Sequence, residues 1–348
     1  MLKNRMKKVL LVLLTVFLSL IIIATASVLI VRDNGRQKLT ETEKQPELPP
    51  VVSETPSEDE SPEENTQEYS VRYNGKKYKY NDKMINVLLM GIDSAEPVEE
   101  SELFGDGGQV DVLWLGCINT ENKSVKIITI PRDTLCSIEV YDINGEPIGT
   151  ETLPIALSHA FGDGGVKSAE MTVNAVSELL YGLQIHAWYS VNTLAIPVVN
   201  DAIGGVEVVA DETNIDFMPS WANIGDKVLL KGNYAHRFIV PRFDTTDASR
   251  RVRQKQYMKS FIPTAKKAIK DNPLIVIDIY NKITEYSCTS LTLDEILWLS
   301  GEMLGMDIDT DAITLEGTEG TMGKYNTITL DETKLFEAML DIFYLEVE

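Results

Sequence analysis

Five arginines crowd into one short stretch of an acidic chain. Arg237, Arg242, Arg250, Arg251 and Arg253, followed by Gln254 and Lys255, belong to a 348-residue sequence with a formal net charge of −21. Self-repulsion opposes such crowding unless an anion or nearby carboxylates sit among the guanidinium groups. Asp247-Ala248-Ser249-Arg250 reads as a helix start with Asp247 at the N-cap, which puts Arg250 and Gln254 on one face and Arg253 beside them. Cations in a first helical turn oppose the macrodipole. A bound phosphate would resolve that conflict, because backbone N–H groups and guanidinium forks both suit its oxygens. A solvated basic face laced with salt bridges is the plainer alternative.

A second set of reactive side chains sits at strand ends. Ile85–Met90 is a buried-strand pattern that runs into Gly91-Ile92-Asp93. Asp111 opens the apolar run Val112–Ile118, and Ser124–Ile130 closes on Pro131-Arg132-Asp133-Thr134. If the three strands form an antiparallel meander, Asp93, Asp111 and Arg132 meet at one sheet edge. Two carboxylates without thiolates suit a hard cation, Mg²⁺ or Mn²⁺, which takes oxygen ligands together with substrate phosphate. Asp93 and Asp133 also fit the ordinary role of strand-end turn residues. Asp111, at the head of an apolar strand, is harder to place in that way.

The elements that must hold these groups alternate. Val166–Leu183 has a helical apolar face, Trp188–Val191 reads as a strand, and a helical stretch follows near 193–202. Ile203-Gly204-Gly205-Val206 is a tight turn into a strand. Leu274–Ile279 after Pro273 reads as strand-like, and 290–348 as helix, strand and terminal helix, with Thr292 and Glu295 at capping-box spacing. The pentapeptide Phe104-Gly105-Asp106-Gly107-Gly108 recurs as Phe161-Gly162-Asp163-Gly164-Gly165, with no repeat on either side, and reads as coincidence between two glycine turns. The alternation implies α/β layering.

The N-terminus bears on the compartment. Lys3, Arg5, Lys7 and Lys8 precede an apolar or small-residue run from Val9 to Val31, about the length that spans a bilayer as a helix. Basic residues on the short side place residues 1–8 in the cytoplasm and the bulk of the chain outside a single-pass anchor. Cleavage after Ala26 is the competing reading, but the apolar run continues past it. Residues 32–70, rich in Pro, Ser and acid, read as a disordered, self-repelling stalk. The folded part then covers 71–270 plus a C-terminal α/β portion, 271–348. Cys117, Cys136 and Cys288 show no zinc spacing and read as buried thiols, a Cys117–Cys136 pair being the alternative. Adjacent Ser158-His159 and the lack of a GxSxG sequence argue against a Ser/His hydrolase. Export and acidity argue against nucleic acid as a partner.

Five segments together resemble the LytR-CpsA-Psr (LCP) family of bacterial cell-envelope proteins. They are Leu88-Leu89-Met90-Gly91-Ile92-Asp93, Asp111 with its strand, Ser124–Ile130 into Pro131-Arg132-Asp133-Thr134, Val199–Val208, and Leu230-Lys231-Gly232 through Arg242, Arg250, Arg253 and Gln254. The resemblance implies an α/β/α domain with a central mixed sheet and a long apolar pocket for a polyprenyl chain. It implies transfer of a glycopolymer from a polyprenyl-pyrophosphate carrier to peptidoglycan, forming a phosphodiester in a Gram-positive-like envelope. On that pattern Asp93 and Asp111 hold Mg²⁺, while Arg132, Arg242, Arg250 and Gln254 grip pyrophosphate, with Arg253 alongside. Asp133 or Asp93 is placed to take a proton from the acceptor hydroxyl. Gln109, Val240 and Ala156 stand where family members usually carry Arg, Arg and Lys. The retained carboxylates favour the transferase. The lost cations favour a non-catalytic lipid-pyrophosphate or wall-glycan binder, and a pyrophosphate hydrolase would use the same site.

Overall fold

The computed structural model describes residues 34–41, 44–49, 71–94, 96–105, 107–241 and 247–347, apart from the side chains of Asp247 and Ala248. The apolar run 9–31, residues 50–70 and Arg242 lie outside the described residues, so the anchor, most of the stalk and one expected pyrophosphate ligand are not visible.

A helical turn over 34–39, α1, precedes the hairpin β1 (Val71–Tyr73) and β2 (Lys76–Tyr80). β3 (Met84–Ile92), β4 (Val110–Asn119) and β5 (Ser124–Ile130) then run as an antiparallel meander. The hairpin β6 (Leu135–Tyr141) and β7 (Pro147–Pro154) leads through α2 (Leu157–Ala160) and α3 (Val166–Leu179) to β8 (Ala187–Asn192), which lies parallel to β3. Next come α4 (Ala195–Ala202), β9 (Val206–Val209), β10 (Lys227–Leu230), α5 (Asn233–Ile239), α6 (Asp247–Asp271) and α7 (Ile275–Ile283). The chain closes with β11 (Ser287–Thr289), α8 (Leu293–Met303), β12 (Asp307–Ile308), β13 (Ile313–Thr314), β14 (Gly317–Met322), β15 (Tyr325–Leu330), α9 (Glu332–Phe343) and β16 (Tyr344–Val347).

The main sheet has the order β11-β8-β3-β4-β5-β12, and β13 also pairs with β5, so the architecture is mixed α/β around a mixed sheet. Strand periodicity sorts the layers. Leu88, Met90, Leu113, Leu115 and Ile128 point into one core shared with α3 and α9, through Ala169, Val176, Phe336 and Phe343. Ile85, Val87, Ile118 and Val125 pack on the opposite face against Trp298 of α8. A separate cluster joins β9 and β10 to α5 and α6 through Val206, Val228, Phe238 and Tyr257. Higher on the second face, Leu89 is 43% exposed although β3 is flanked by strands on both sides.

Several elements depart from expectation. The strand-like run 274–279 is α7, whose Val276 and Ile283 are buried; β-branched content suggested a strand, and packing on α4 and α8 selects a helix. α3 stops at Leu179 instead of Leu183, because Tyr181 and Gly182 take positive φ and the Gly182 N–H returns to the Ser177 carbonyl. A final strand, β16, pairs with β2 beyond the terminal helix. Residues 34–41 and 44–49, assigned to the stalk, are docked on the folded body instead. Leu39 is 2% exposed beside Trp298, Leu48 packs on the main core, and Glu47 N–H bonds the Tyr181 carbonyl at 2.7 Å. One buried and one partly buried leucine thus anchor residues that polar composition marked as unfolded.

The repeated pentapeptides touch. Gly105 N–H donates to the Gly162 carbonyl at 3.1 Å, and a Cβ on Gly107 would fall 2.2 Å from the His159 carbonyl oxygen. The recurrence therefore marks two glycine loops that dock on each other. All three cysteines are free, and burial raises the Cys136 thiol to about 12.

Candidate functional site

The meander delivers its charged residues to one end of the sheet. Gly91 pairs with Val112 and Ile92 with Val110, so Asp111 is the extra residue of a β-bulge, re-aimed by it. Gly91 permits this, since a Cβ there would meet the Val112 Cβ at 3.0 Å. The Asp93 N–H continues the ladder to the Gln109 carbonyl at 3.1 Å, which places the two candidate metal carboxylates on adjacent strand ends. The Asp93 residue is exposed.

Asp111 is the hub. Its Oδ1 accepts from Nη1 of Arg132, and its Oδ2 lies 3.5 Å from Nη1 of Arg250 on α6. Nε of Arg132 lies 3.7 Å from Oδ1 of Asp133, and its Nη2 donates to Oε1 of Gln109. One carboxylate thus ties the sheet edge to the arginine helix, with two guanidinium groups held around it. Of the expected residues, Asp111, Arg132, Asp133 and Arg250 come together here.

Arg253 does not join them. It is fully buried, with Nε donating to the Phe238 carbonyl at 2.9 Å, Nη2 donating to the Pro241 carbonyl, and its guanidinium 3.4 Å from the Phe217 ring centre. Burial, and secondarily Arg250, lowers its affinity for its proton. It is a strut for the α5–α6 junction rather than an anion ligand. Gln254 donates to the Ile239 carbonyl at 3.3 Å and lines a cavity of about 300 Å³ between α6 and the strands. Trp114, Ile127 and Thr129 form the sheet side of that cavity, and Val252 and Met258 the helix side.

Three further features escaped the sequence. Gln109 is the partner of Arg132, which its position two residues before Asp111 could have suggested. Ala156 is held in place by its N–H on the Arg132 carbonyl at 3.0 Å. The hairpin β14–β15 abuts the site, with Ile328 N–H on the Asp133 carbonyl at 2.7 Å. Nothing in a distant polar hairpin announces that contact.

Among the described residues, no group of three His, Cys, Asp or Glu forms a ready metal cage. The donor set still fits Mg²⁺ or Mn²⁺. Asp93 and Asp111 offer two hard oxygen ligands, and such ions usually take one or two carboxylates, the rest being water and substrate phosphate. Ser158 and His159 are buried in the glycine-loop contact. Ser158 donates to the Ile155 carbonyl, and His159 Nδ1 lies 2.6 Å from the Gly107 carbonyl oxygen.

A mixed sheet between helical layers, with a carboxylate–arginine hub at one edge, is the arrangement to be compared with known families. A model of the LytR_cpsA_psr family matches residues 51–340, and the chain belongs to that family. It is 28% identical over 216 residues to the polyisoprenyl-teichoic acid–peptidoglycan teichoic acid transferase TagU of Bacillus cereus, covering 61% of this chain and 62% of that protein. The chain therefore spans less than two thirds of that relative. Among solved structures, TagT bound to LI-WTA superposes with a TM-score of 0.56 at 21% identity, covering 75% of this chain and 89% of TagT. B. subtilis TagV gives 0.55 at 22% identity, covering 75% and 96%. These likenesses establish the fold.

Proposed function

We propose that this protein transfers an anionic glycopolymer from a polyisoprenyl-pyrophosphate carrier to peptidoglycan, from the outer face of the membrane that residues 9–31 would cross. The observation that carries the reading is the Asp111 hub: two guanidinium groups gathered on one carboxylate, beside an apolar cavity over the sheet. A pyrophosphate at the hub would draw Arg132 and Arg250 onto its oxygens, with Arg242 as a further ligand. The lipid would run along Trp114, Ile127 and Met258, where desolvation of apolar chain favours binding. Asp93 and Asp111 would hold Mg²⁺, which when bound neutralises phosphate charge and orients the leaving group. Arg132 and Arg250 stabilise the charge that develops on the departing lipid phosphate. Asp133, whose Oδ1 lies 3.7 Å from Nε of Arg132, would accept the proton of the attacking sugar hydroxyl.

A second reading, binding of lipid pyrophosphate without transfer, is favoured by Gln109, which occupies a donor of Arg132 that a phosphate oxygen would otherwise take. One experiment separates the two. The full-length chain in detergent is mixed with a lipid-pyrophosphate-linked saccharide and peptidoglycan fragments, with and without Mg²⁺, beside Asp111→Asn and Arg132→Ala. Metal-dependent transfer abolished by both changes supports the transferase. Retention of the donor without transfer supports the binder, and phosphate release without transfer supports a hydrolase.

A further inference from the structure

A second cavity, of about 450 Å³, lies between α4 and α5 and is not used by the chemistry above. Two ties place it on the shoulder of the hub. Thr193 lines it and donates its hydroxyl to the Ser94 carbonyl at 3.1 Å, one residue from Asp93. Pro241 also lines it and accepts from Arg253, three residues from Arg250 on α6. The cavity thus borders the segments that carry Asp93 and Arg250.

Its walls have a definite chemistry. Leu194, Pro197 and Tyr234 supply apolar surface, and Tyr234 is 41% exposed. Asn233 and His236 supply neutral hydrogen-bonding groups, since burial holds the imidazole below its ordinary pKa. The one charged wall residue, Arg237, already donates to the Asp216 carbonyl at 2.8 Å. A phosphate site would gather several cations or backbone N–H groups. A wall of one aromatic ring, aliphatic surface and scattered neutral donors and acceptors instead suits a pyranose, whose C–H face packs on an aromatic while its rim of hydroxyls and amides hydrogen-bonds. The volume lies within the roughly 300–1,000 Å³ of small-molecule sites.

We propose that the α4–α5 cavity is a saccharide subsite that seats an uncharged N-acetylhexosamine ring, with Tyr234 as its stacking platform and Asn233 and His236 as its polar contacts. The proposal rests on the transfer reading only for which sugar arrives there: the first sugar of the lipid-linked donor or the acceptor glycan. Binding is measured on the full-length chain in detergent by calorimetry, with two probes. One is the β-1,4-linked N-acetylglucosamine tetramer, which mimics the acceptor backbone. The other is a uridine diphosphate-linked N-acetylglucosamine, which mimics a sugar on pyrophosphate. Wild type is compared with Tyr234→Ala, Tyr234→Phe, His236→Gln and Arg132→Ala.

The subsite predicts that Tyr234→Ala weakens a probe by about tenfold or more while Tyr234→Phe stays within about threefold. Loss for the tetramer, unaffected by Arg132→Ala, assigns the cavity to the acceptor. Loss confined to the diphosphate probe, with Arg132→Ala also weakening it, assigns the cavity to the donor. The proposal is overturned if neither probe binds the wild type, or if Tyr234→Ala binds both as well as wild type does. Absence of transfer activity with intact Tyr234-dependent tetramer binding would remove the enzyme reading and leave the subsite standing.

Discussion

Asp111 Oδ2 and Arg250 Nη1, 3.5 Å apart, are the point at which the central sheet is tied to the arginine helix. The side chain of Arg250 is 8% exposed and that of Asp111 16%, so the pair is poorly solvated and its loss leaves a guanidinium with little water to replace the carboxylate. Asp111→Ala is expected to cost about 2–3 kcal/mol, below the full penalty for a completely buried pair. It should speed hydrogen exchange in the first turns of α6. Urea unfolding and exchange mass spectrometry test both; unchanged exchange in α6 would show that the tie is incidental.

Gln109 accepts from Arg132, so a cation in its place would face a guanidinium without an anion between them. Gln109→Arg is expected to lower the melting temperature without ligand, by the equivalent of about 1 kcal/mol, and to raise affinity for inorganic pyrophosphate severalfold. Calorimetry with pyrophosphate and Mg²⁺ measures both effects. A stabilised free protein would contradict the placement of Gln109.

Arg253 and Gln254 are neighbours in sequence with opposite roles. Arg253→Met strands the carbonyls of Phe238 and Pro241 and removes the contact with the Phe217 ring, for an expected loss of about 3 kcal/mol or more. Gln254→Ala, at a cavity wall, should change stability by less than about 1 kcal/mol and weaken lipid-pyrophosphate binding. Denaturation curves paired with binding measurements separate the two; equal stability losses would refute the division.

Acid should weaken the fold through its buried imidazoles. Burial pushes His186 down from 6.5 to about 4, while its Nδ1 accepts the Asn86 N–H, and burial also lowers His159. The unfolded chain takes up these protons first as pH falls. Their stabilising contribution is thus complete above about 6.5 and declines toward about 4. Urea midpoints followed across that range should fall with pH, and His186→Phe should flatten the slope. A slope unchanged by that substitution would assign the acid sensitivity elsewhere.

The meander and its cluster of Asp111, Arg132 and Asp133 were legible because strand ends in an antiparallel sheet are fixed by pairing alone. Arg250 was legible because helical spacing gives its face, although the helix includes Asp247, which the sequence suggested as its cap. Arg253 was not. Whether a guanidinium turns toward an anion or toward carbonyls depends on the path of residues 238–241, which no local pattern encodes. α7 was misread because β-branched residues in a short apolar run suit either state until neighbours decide. The docking of Leu39 and Leu48 was hidden because two apolar residues in a polar stretch give no period to read.

The pairing of β16 with β2 joins the two ends of the folded chain: Tyr344 lies opposite Tyr80 in one ladder, and its hydroxyl reaches the Pro46 carbonyl at 3.4 Å. This has a consequence in time as well as in space. During synthesis β2 keeps one edge unpaired until β16 has been made. A chain cut before Tyr344 is therefore left with an open strand edge on β2, prone to join the wrong partner.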